Sequence, residues 1–390
     1  MSVGRIVKTE WGVCIDNFKA SGVREGKYGL ALIVNDSICK TAGVFTTNRI
    51  KSASVMLDKK RIDNGFQAIV INSGNANSCV KDGLRDAEEI CKMTAKRLNI
   101  NERNVGIAST GIIGKRLNME LIEILVDKAC KLLSNSSNGS KNAARAIMTT
   151  DTKMKELSIE YNGIKIGGIA KGAGMIAPDL ATMLCFLTTN ANLSRYDLQN
   201  ALEIAVDESF NMLVIDNDMS TNDTVLLMSN GKKKCTKDDF QYALNYITKE
   251  FARMIASDGE GVTKFMEVEV KGAKSRDDAR NGAKAIVSSS LVKSAIHGEN
   301  PNWGRIAAAL GSKVNYEFEN IDIIFETCGK NKRTAVVIEG GEVNDLKGAR
   351  EVLKNDNFRI IVDLHSGEER AVAFGCDLSP EYIHINAEYS

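Results

Sequence analysis

The chain has 390 residues, 51 Lys+Arg against 50 Asp+Glu, with 43% hydrophobic and 6% aromatic residues. That is chain for two to three domains at about 150 residues each, or for two joined lobes. A net charge of +1 excludes the basic bias that a broad phosphate-neutralising surface needs, so nucleic acid is not an expected partner. Nine cysteines stand singly, without a CxxC pair or a Cys-His cluster, so neither a disulfide framework nor a metal site is expected, and the compartment reads as reducing. The first residues lack the apolar stretch of a signal peptide, and no run approaches about 18 apolar residues. The expectation is a cytoplasmic protein with no membrane span.

Short β-branched runs alternate with helical patterns along the whole chain. Residues 30–34 and 66–71 read as buried strands. Leu121, Leu125, Ala129 and Leu132 recur at helical spacing and predict one apolar face. The polar stretch 133–141 reads as an exposed loop. Strands follow at 212–215 and 224–228, then at 265–270, 334–338 and 358–362, with strand texture dominant after Gly311. Ser194 with Asp197, Thr236 with Asp239, and Ser275 with Asp278 have capping-box spacing and predict helix starts. These patterns give a mixed α/β (α+β) enzyme-like chain without internal repeats, with a soft lobe boundary in 180–195. The three prolines, Pro178, Pro301 and Pro380, are outnumbered by 32 glycines, so turns rest mainly on Gly and Asn. His297, His365 and His384 are too dispersed for a metal site or triad and read as structural; Trp303 reads as a packing anchor.

The most unusual segment is 167–190, GGIAKGAGMIAPDLATMLCFLTTN. It joins a glycine cluster, a proline and an apolar run holding Ala181-Thr182. It is not a phosphate loop, because neither GxGxxG before a helix nor GK[ST] is present. Taken alone, Thr182 fits a core strand, where β-branched residues are favoured.

Beyond that reading, the segment resembles the self-cleavage region of the ornithine acetyltransferase (glutamate N-acetyltransferase) family of arginine biosynthesis. NSGNANSC at 72–79, STGIIG at 109–114, IMTTDT at 147–152, STNDTVLL at 220–227, DGEGVTK at 258–264, NPNWGRI at 300–306 and INAEYS at 385–390 fall in the family's order and roughly its spacing. Together they cover nearly the whole chain.

The resemblance implies two interlocked lobes of the N-terminal-nucleophile type, self-processed between Ala181 and Thr182 into fragments 1–181 and 182–390, two of each forming a heterotetramer. Thr182 is then the nucleophile. A mid-chain hydroxyl lacks a base, whereas an N-terminal threonine carries its own in an α-amine with a pKa of roughly 7.7–8.0. Thr110 and Gly111 match the oxyanion hole, and Thr152, Lys171, Thr182 itself, Glu260 and Asn386 match the substrate contacts. The family has a further Ser or Thr after its Tyr-Ser end; here either Ser390 takes that place or one substrate contact is lost.

The implied reaction moves an acetyl group from N2-acetyl-L-ornithine to L-glutamate through acetyl-Thr182, with no cofactor. Acetyl-CoA stays open as a further donor, since monofunctional and bifunctional members share these motifs. The alternative is an amidohydrolase or aminopeptidase of related architecture with water as acceptor. The expected cut also divides the charge: residues 1–181 hold 27 Lys+Arg against 18 Asp+Glu, a net +9, and residues 182–390 hold 24 against 32, a net −8.

Overall fold

The computed structural model describes residues 4–177, 183–329 and 332–388. Pro178, Ala181, Thr182 and Ser390 lie outside the described residues. The chain divides into two compact units. Of the described residues, 4–172, 183–207 and 219–251 form the first; 173–177, 208–218 and 252–388 form the second.

The strands of the first unit are β1 (Val7–Thr9), β2 (Lys19–Glu25), β3 (Tyr28–Phe45), β4 (Phe66–Asn75), β5 (Val105–Ile112), β6 (Lys155–Tyr161), β7 (Ile164–Lys171), β8 (Leu184–Ala191) and β9 (Thr224–Lys233). Among the described residues they make one nine-stranded sheet in the order β1-β6-β7-β8-β9-β3-β4-β5, with β2 added on β3. A register shift between Val34 and Cys39 lets the long β3 pair with β2 and β4 through its first half and with β9 through its second. Helices α1 (Ala53–Arg61), α2 (Gly83–Leu98), α3 (Met119–Lys131), α4 (Ser137–Ala146), α5 (Arg195–Asp207) and α6 (Lys237–Ala256) complete its elements, the last turn of α6 belonging to the second unit. All eight residues of β8 are buried, as expected of a strand covered on both faces. It pairs antiparallel with β7, Lys171 opposite Leu184, and parallel with β9, Leu184 opposite Thr224. Residues from both sides of the expected cut therefore build one sheet.

The second unit holds β10 (Phe265–Ala273), β11 (Asp322–Thr327), β12 (Thr334–Glu339), β13 (Glu342–Val343), β14 (Asn357–Asp363) and β15 (Glu369–Cys376), in the order β13-β12-β11-β14-β10-β15. Its helices are α7 (Arg276–Ser288), α8 (Ser290–His297), α9 (Trp303–Gly311), α10 (Leu346–Leu353) and α11 (Pro380–Glu388). Val268, Val270, Ile286, Phe325 and Ile360 lie in its core, against which Trp303 packs while stacking on Phe318 at 5.6 Å. His297 bonds Asp377 and His365 bonds Asp322, both at 2.8 Å. Pro380 opens α11, a position where its missing N–H costs no helical bond.

The mixed α/β character and six of the seven expected strands are present. The three expected caps also form: Asp197, Asp239 and Asp278 donate their N–H groups to Ser194, Thr236 and Ser275 at 3.0–3.1 Å. At Ser194 and Ser275 the hydroxyl donates back to the aspartate, since the short acid cannot reach the cap's own N–H.

Four expectations need correction. Residues 212–215 are not a strand but the end of a 3-10 turn and the residues after it; Val214 N–H goes to Phe374 and Ile215 N–H to Ile176, in two different segments. Stretch 133–141 is largely the start of α4, capped by Ser136, and its buried face is built from Gly139, Ser140, Ala143, Ala144 and Ala146, residues too small or polar to register as apolar periodicity. The buried face of α3 runs through Ile122, Leu125, Val126 and Ala129, while Leu132 is exposed. No unit boundary falls in 180–195, half of which is β8; the nearest divisions lie at 178/179 and 207/208. No helix among the described residues is long and apolar enough to cross a membrane.

Candidate active site

Parallel strands β4 and β5 bring the motifs at 72–79 and 109–114 side by side, with Gly74 opposite Gly111. Ser109 Oγ donates to Asn72 Oδ1 at 2.6 Å and lies 2.7 Å from Ser54 Oγ, so a buried polar network holds the end of β5. Gly111 has φ +130°, and a Cβ there would collide with the backbone of Gly74 and Asn75. Glycine is thus demanded by the neighbouring strand, independently of anything bound. Thr110 beside it is only 3% exposed.

Lys171 ends β7 and is likewise 3% exposed, which rules out a solvated surface lysine. Its Nζ donates to Thr110 Oγ1 at 3.3 Å. An ammonium has no lone pair to offer, so the threonine oxygen is the acceptor and its own O–H stays free to donate elsewhere. That is the polarity an oxyanion donor requires.

Behind this pair sits Asp151, in the loop before β6. Its Oδ1 accepts from Lys155 Nζ and from Gly172 N–H, both at 2.7 Å, and its Oδ2 accepts from Thr149 N–H at 3.0 Å. Burial alone would raise its pKa, but Lys171, Lys155 and the Gly172 N–H bring it down to about 2. Asp151 is therefore ionised and bonded to both Lys155 and the residue after Lys171. Thr152, the neighbour singled out from the sequence, is exposed.

Asp223, in the motif at 220–227, accepts the Met183 N–H at 3.0 Å. Complete burial holds its carboxyl well above the ordinary range, against the Met183 N–H and the Lys171 charge.

In the second unit, Glu260 Oε2 accepts from Asn386 Nδ2 at 2.8 Å, and Asn386 also donates to the Tyr382 carbonyl. Residues 173–177 are clamped here: Glu260 N–H bonds Ala173, and Asp216 accepts from Met175 and Ile176 at 2.6 and 2.7 Å. A Cβ on Gly174 would overlap the Glu260 carboxylate, which explains the glycine at that position. Burial raises the Asp216 carboxyl in spite of its N–H partners.

Of the residues expected from the sequence, Thr110, Gly111 and Lys171 come together in one unit, and Glu260 and Asn386 in the other. Ala181, Thr182 and Ser390 lie outside the described residues. Asp151, Asp216, Asn222 and Asp223 are not expected from the sequence; Asp151, Asn222 and Asp223 stand inside the motifs at 147–152 and 220–227, where a polar side chain that turns out buried is the available signal.

The ArgJ family model matches residues 17–390. Glutamate N-acetyltransferase of Methanocaldococcus jannaschii is 46% identical across 96% of both chains. Its namesake from Methanothermobacter thermautotrophicus is 44% identical across 97% of both. Among solved structures, the arginine biosynthesis bifunctional protein argJ of Bacillus halodurans aligns with TM-score 0.48 and 39% identity, covering 52% of this chain and 98% of that one. Ornithine acetyltransferase of Mycobacterium tuberculosis, solved with ornithine, aligns with TM-score 0.42 and 30% identity over 46% of this chain and all of that one. The chain belongs to the ArgJ family and is an acyltransferase of arginine biosynthesis.

Proposed function

We propose that this enzyme transfers acetyl from N2-acetyl-L-ornithine to L-glutamate through an acetyl-Thr182 ester, without a cofactor, after cutting itself between Ala181 and Thr182. The observation that carries this reading is the Lys171–Thr110 hydrogen bond, which leaves a buried O–H donor beside Gly111 for a tetrahedral oxyanion. In self-cleavage, Thr182 Oγ adds to the Ala181 carbonyl and the C–N bond breaks. Water then hydrolyses the resulting ester and leaves a free α-amine on Thr182. In transfer, that amine takes the hydroxyl proton as Oγ adds to the acetyl carbonyl. The amide C–N bond breaks and the proton passes to the departing ornithine amine. Glutamate's α-amine then attacks the ester and regenerates Thr182.

Thr152 and Lys171, Glu260 and Asn386, and the terminal Ser390 are assigned to substrate recognition. The two fragments stay together because β7 pairs with β8, and β9 with β3, across the cut. Their opposite charges add a weaker, salt-screened attraction. Two copies of each make a heterotetramer in the cytoplasm. Acetyl-CoA as a second donor would load the same hydroxyl and release the CoA thiol.

Intact mass tests the reading. The parent protein yields two fragments and Thr182→Ala one uncut chain. After N-acetylornithine is added, the 182–390 fragment gains one acetyl group. Ornithine release independent of glutamate would show water to be the acceptor and overturn transfer. Release of CoA with glutamate alone decides whether acetyl-CoA is used.

A further inference from the structure

The STNDTVLL motif has no role in the chemistry above, yet its first four residues are buried in the loop that enters β9. Asn222 Nδ2 donates to the carbonyl of Ser109 at 2.8 Å and to that of Ala76 at 2.7 Å. Ser109 is covalently next to Thr110. The neighbouring Asp223 Oδ1 accepts the Met183 N–H, and Thr224 N–H returns to the Met183 carbonyl at 3.2 Å. Met183 is covalently next to Thr182. Both polar groups of the Met183 backbone are thus held by consecutive residues.

The loop itself has little freedom. Thr221 Oγ1 donates to Asn222 Oδ1 at 2.6 Å, and Ser52 N–H bonds the Thr221 carbonyl at 2.9 Å. Thr46 Oγ1 donates to the Ser220 carbonyl at 2.7 Å, and Thr46 N–H bonds the Asp223 carbonyl at 3.0 Å. Asp223 is 0% exposed, and its Oδ2 has no hydrogen-bond partner among the described residues. An unsatisfied buried oxygen costs about 1–3 kcal/mol, so stability of the fold does not by itself account for an aspartate here.

We propose that residues 220–223 are a positioning bracket for the reaction: Asn222 fixes the strand end that carries Thr110 and Gly111, Asp223 fixes the residue bonded to Thr182, and together they set the spacing between nucleophile and oxyanion donors. This rests on the reading of Thr182 as nucleophile. Neither residue touches substrate; each acts through the backbone it holds. Such spacing matters because a misplacement of about 1 Å can cost on the order of 10²-fold in rate.

The test compares Asp223→Asn, which fills the same volume and keeps an oxygen for the Met183 N–H, with Asp223→Leu, which has no acceptor. The full chain is used throughout. Asp223→Asn should self-cleave and turn over within about tenfold of the parent. Asp223→Leu should lose about 10²–10³-fold in kcat, with KM for N-acetylornithine within about threefold, because placement rather than binding is lost. If the leucine variant does not fold, Asp223→Ser, too short to reach the N–H, takes its place with the same expected loss. Parent-like rates in Asp223→Leu or Asp223→Ser overturn the bracket. So does an asparagine variant as impaired as the leucine one, or a rise in KM with kcat unchanged. Thr182→Ala separates the two ideas: if that variant is still cut and active, the nucleophile assignment has failed, whereas a dead Thr182→Ala beside a normal Asp223→Leu removes the bracket alone.

Discussion

The candidate residues of the two units differ in burial. The first buries Lys155, Lys171, Asp151 and Asp223 at the end of a nine-stranded sheet, where each charged or titratable group meets backbone or an opposite charge. The second presents Glu260, partly exposed, to an exposed Asn386 on α11. A fixed, dry donor set stabilises a developing charge far more than a solvated one does. A half-exposed pair suits recognition instead, since it can exchange partners with a substrate amine or carboxylate without stranding a buried charge. Substitutions at the buried set should therefore act on stability and kcat, and those at the Glu260–Asn386 pair on KM.

The largest effect is expected at Asp151. Asp151→Asn removes a carboxylate from between two buried lysines, and breaking such a pair typically costs about 3–5 kcal/mol. The sign with pH follows from its depressed pKa of about 2. The contribution is fully present above the unfolded value of about 3.9 and is lost as pH falls toward 2. Chemical denaturation at pH 7 should show the loss, and the gap between variant and parent should close below about pH 4. A gap that persists at pH 2 would show that packing, not charge, is what Asp151 supplies.

Next comes Thr110→Val, which keeps the β-branched shape and deletes the hydroxyl. Loss of one oxyanion donor should lower kcat by about 10²–10³-fold with KM nearly unchanged. Steady-state kinetics with N-acetylornithine and glutamate checks this. A rise in KM instead would erase the distinction drawn between the units.

Much of this was legible in the sequence where the cause is local. Strands 30–34 and 66–71 follow from short apolar runs and the Ser-x-x-Asp helix starts from hydroxyl capping, and all are present. What could not be read is held by partners distant along the chain. Lys171 meets its partner Thr110 61 positions away, through the fold rather than the local chain. Asp223 has its partner 40 positions upstream and Asp151 one 21 downstream. Helix α4 escaped for a different reason: its buried face consists of glycine, serine and alanine, which pack closely but carry almost no hydrophobic signal.

A smaller effect separates burial from pairing within the first unit. Glu156 lacks a cation at bonding distance among the contacts described, its Oε2 is buried without a partner, and burial pushes its carboxyl up to about 6. A raised carboxyl favours the fold below its unfolded pKa, near 4.5, and that stability is lost as pH rises through 6. Glu156→Gln should thus be more stable than the parent at pH 7.5, by about 1 kcal/mol once screening by solvent is discounted, with the gain vanishing near pH 4.5. Thermal unfolding at the two pH values checks the pair, and a variant less stable at pH 7.5 would mean that the charge of Glu156 is compensated after all.

The smallest effect belongs to the second unit and is the sharpest test of the contrast. Asn386→Ala removes one exposed hydrogen bond to Glu260, worth about 1 kcal/mol, so KM should rise about fivefold with kcat within about twofold. Unfolding free energy should stay within about 0.5 kcal/mol of the parent, because the residue is exposed and no buried group is left unsatisfied. Measured beside Thr110→Val, the two variants should move different kinetic constants. If Asn386→Ala lowered kcat as steeply as the threonine change does, Glu260 would be part of the chemistry rather than of recognition, and the division of labour between a buried donor site and an exposed recognition pair would collapse.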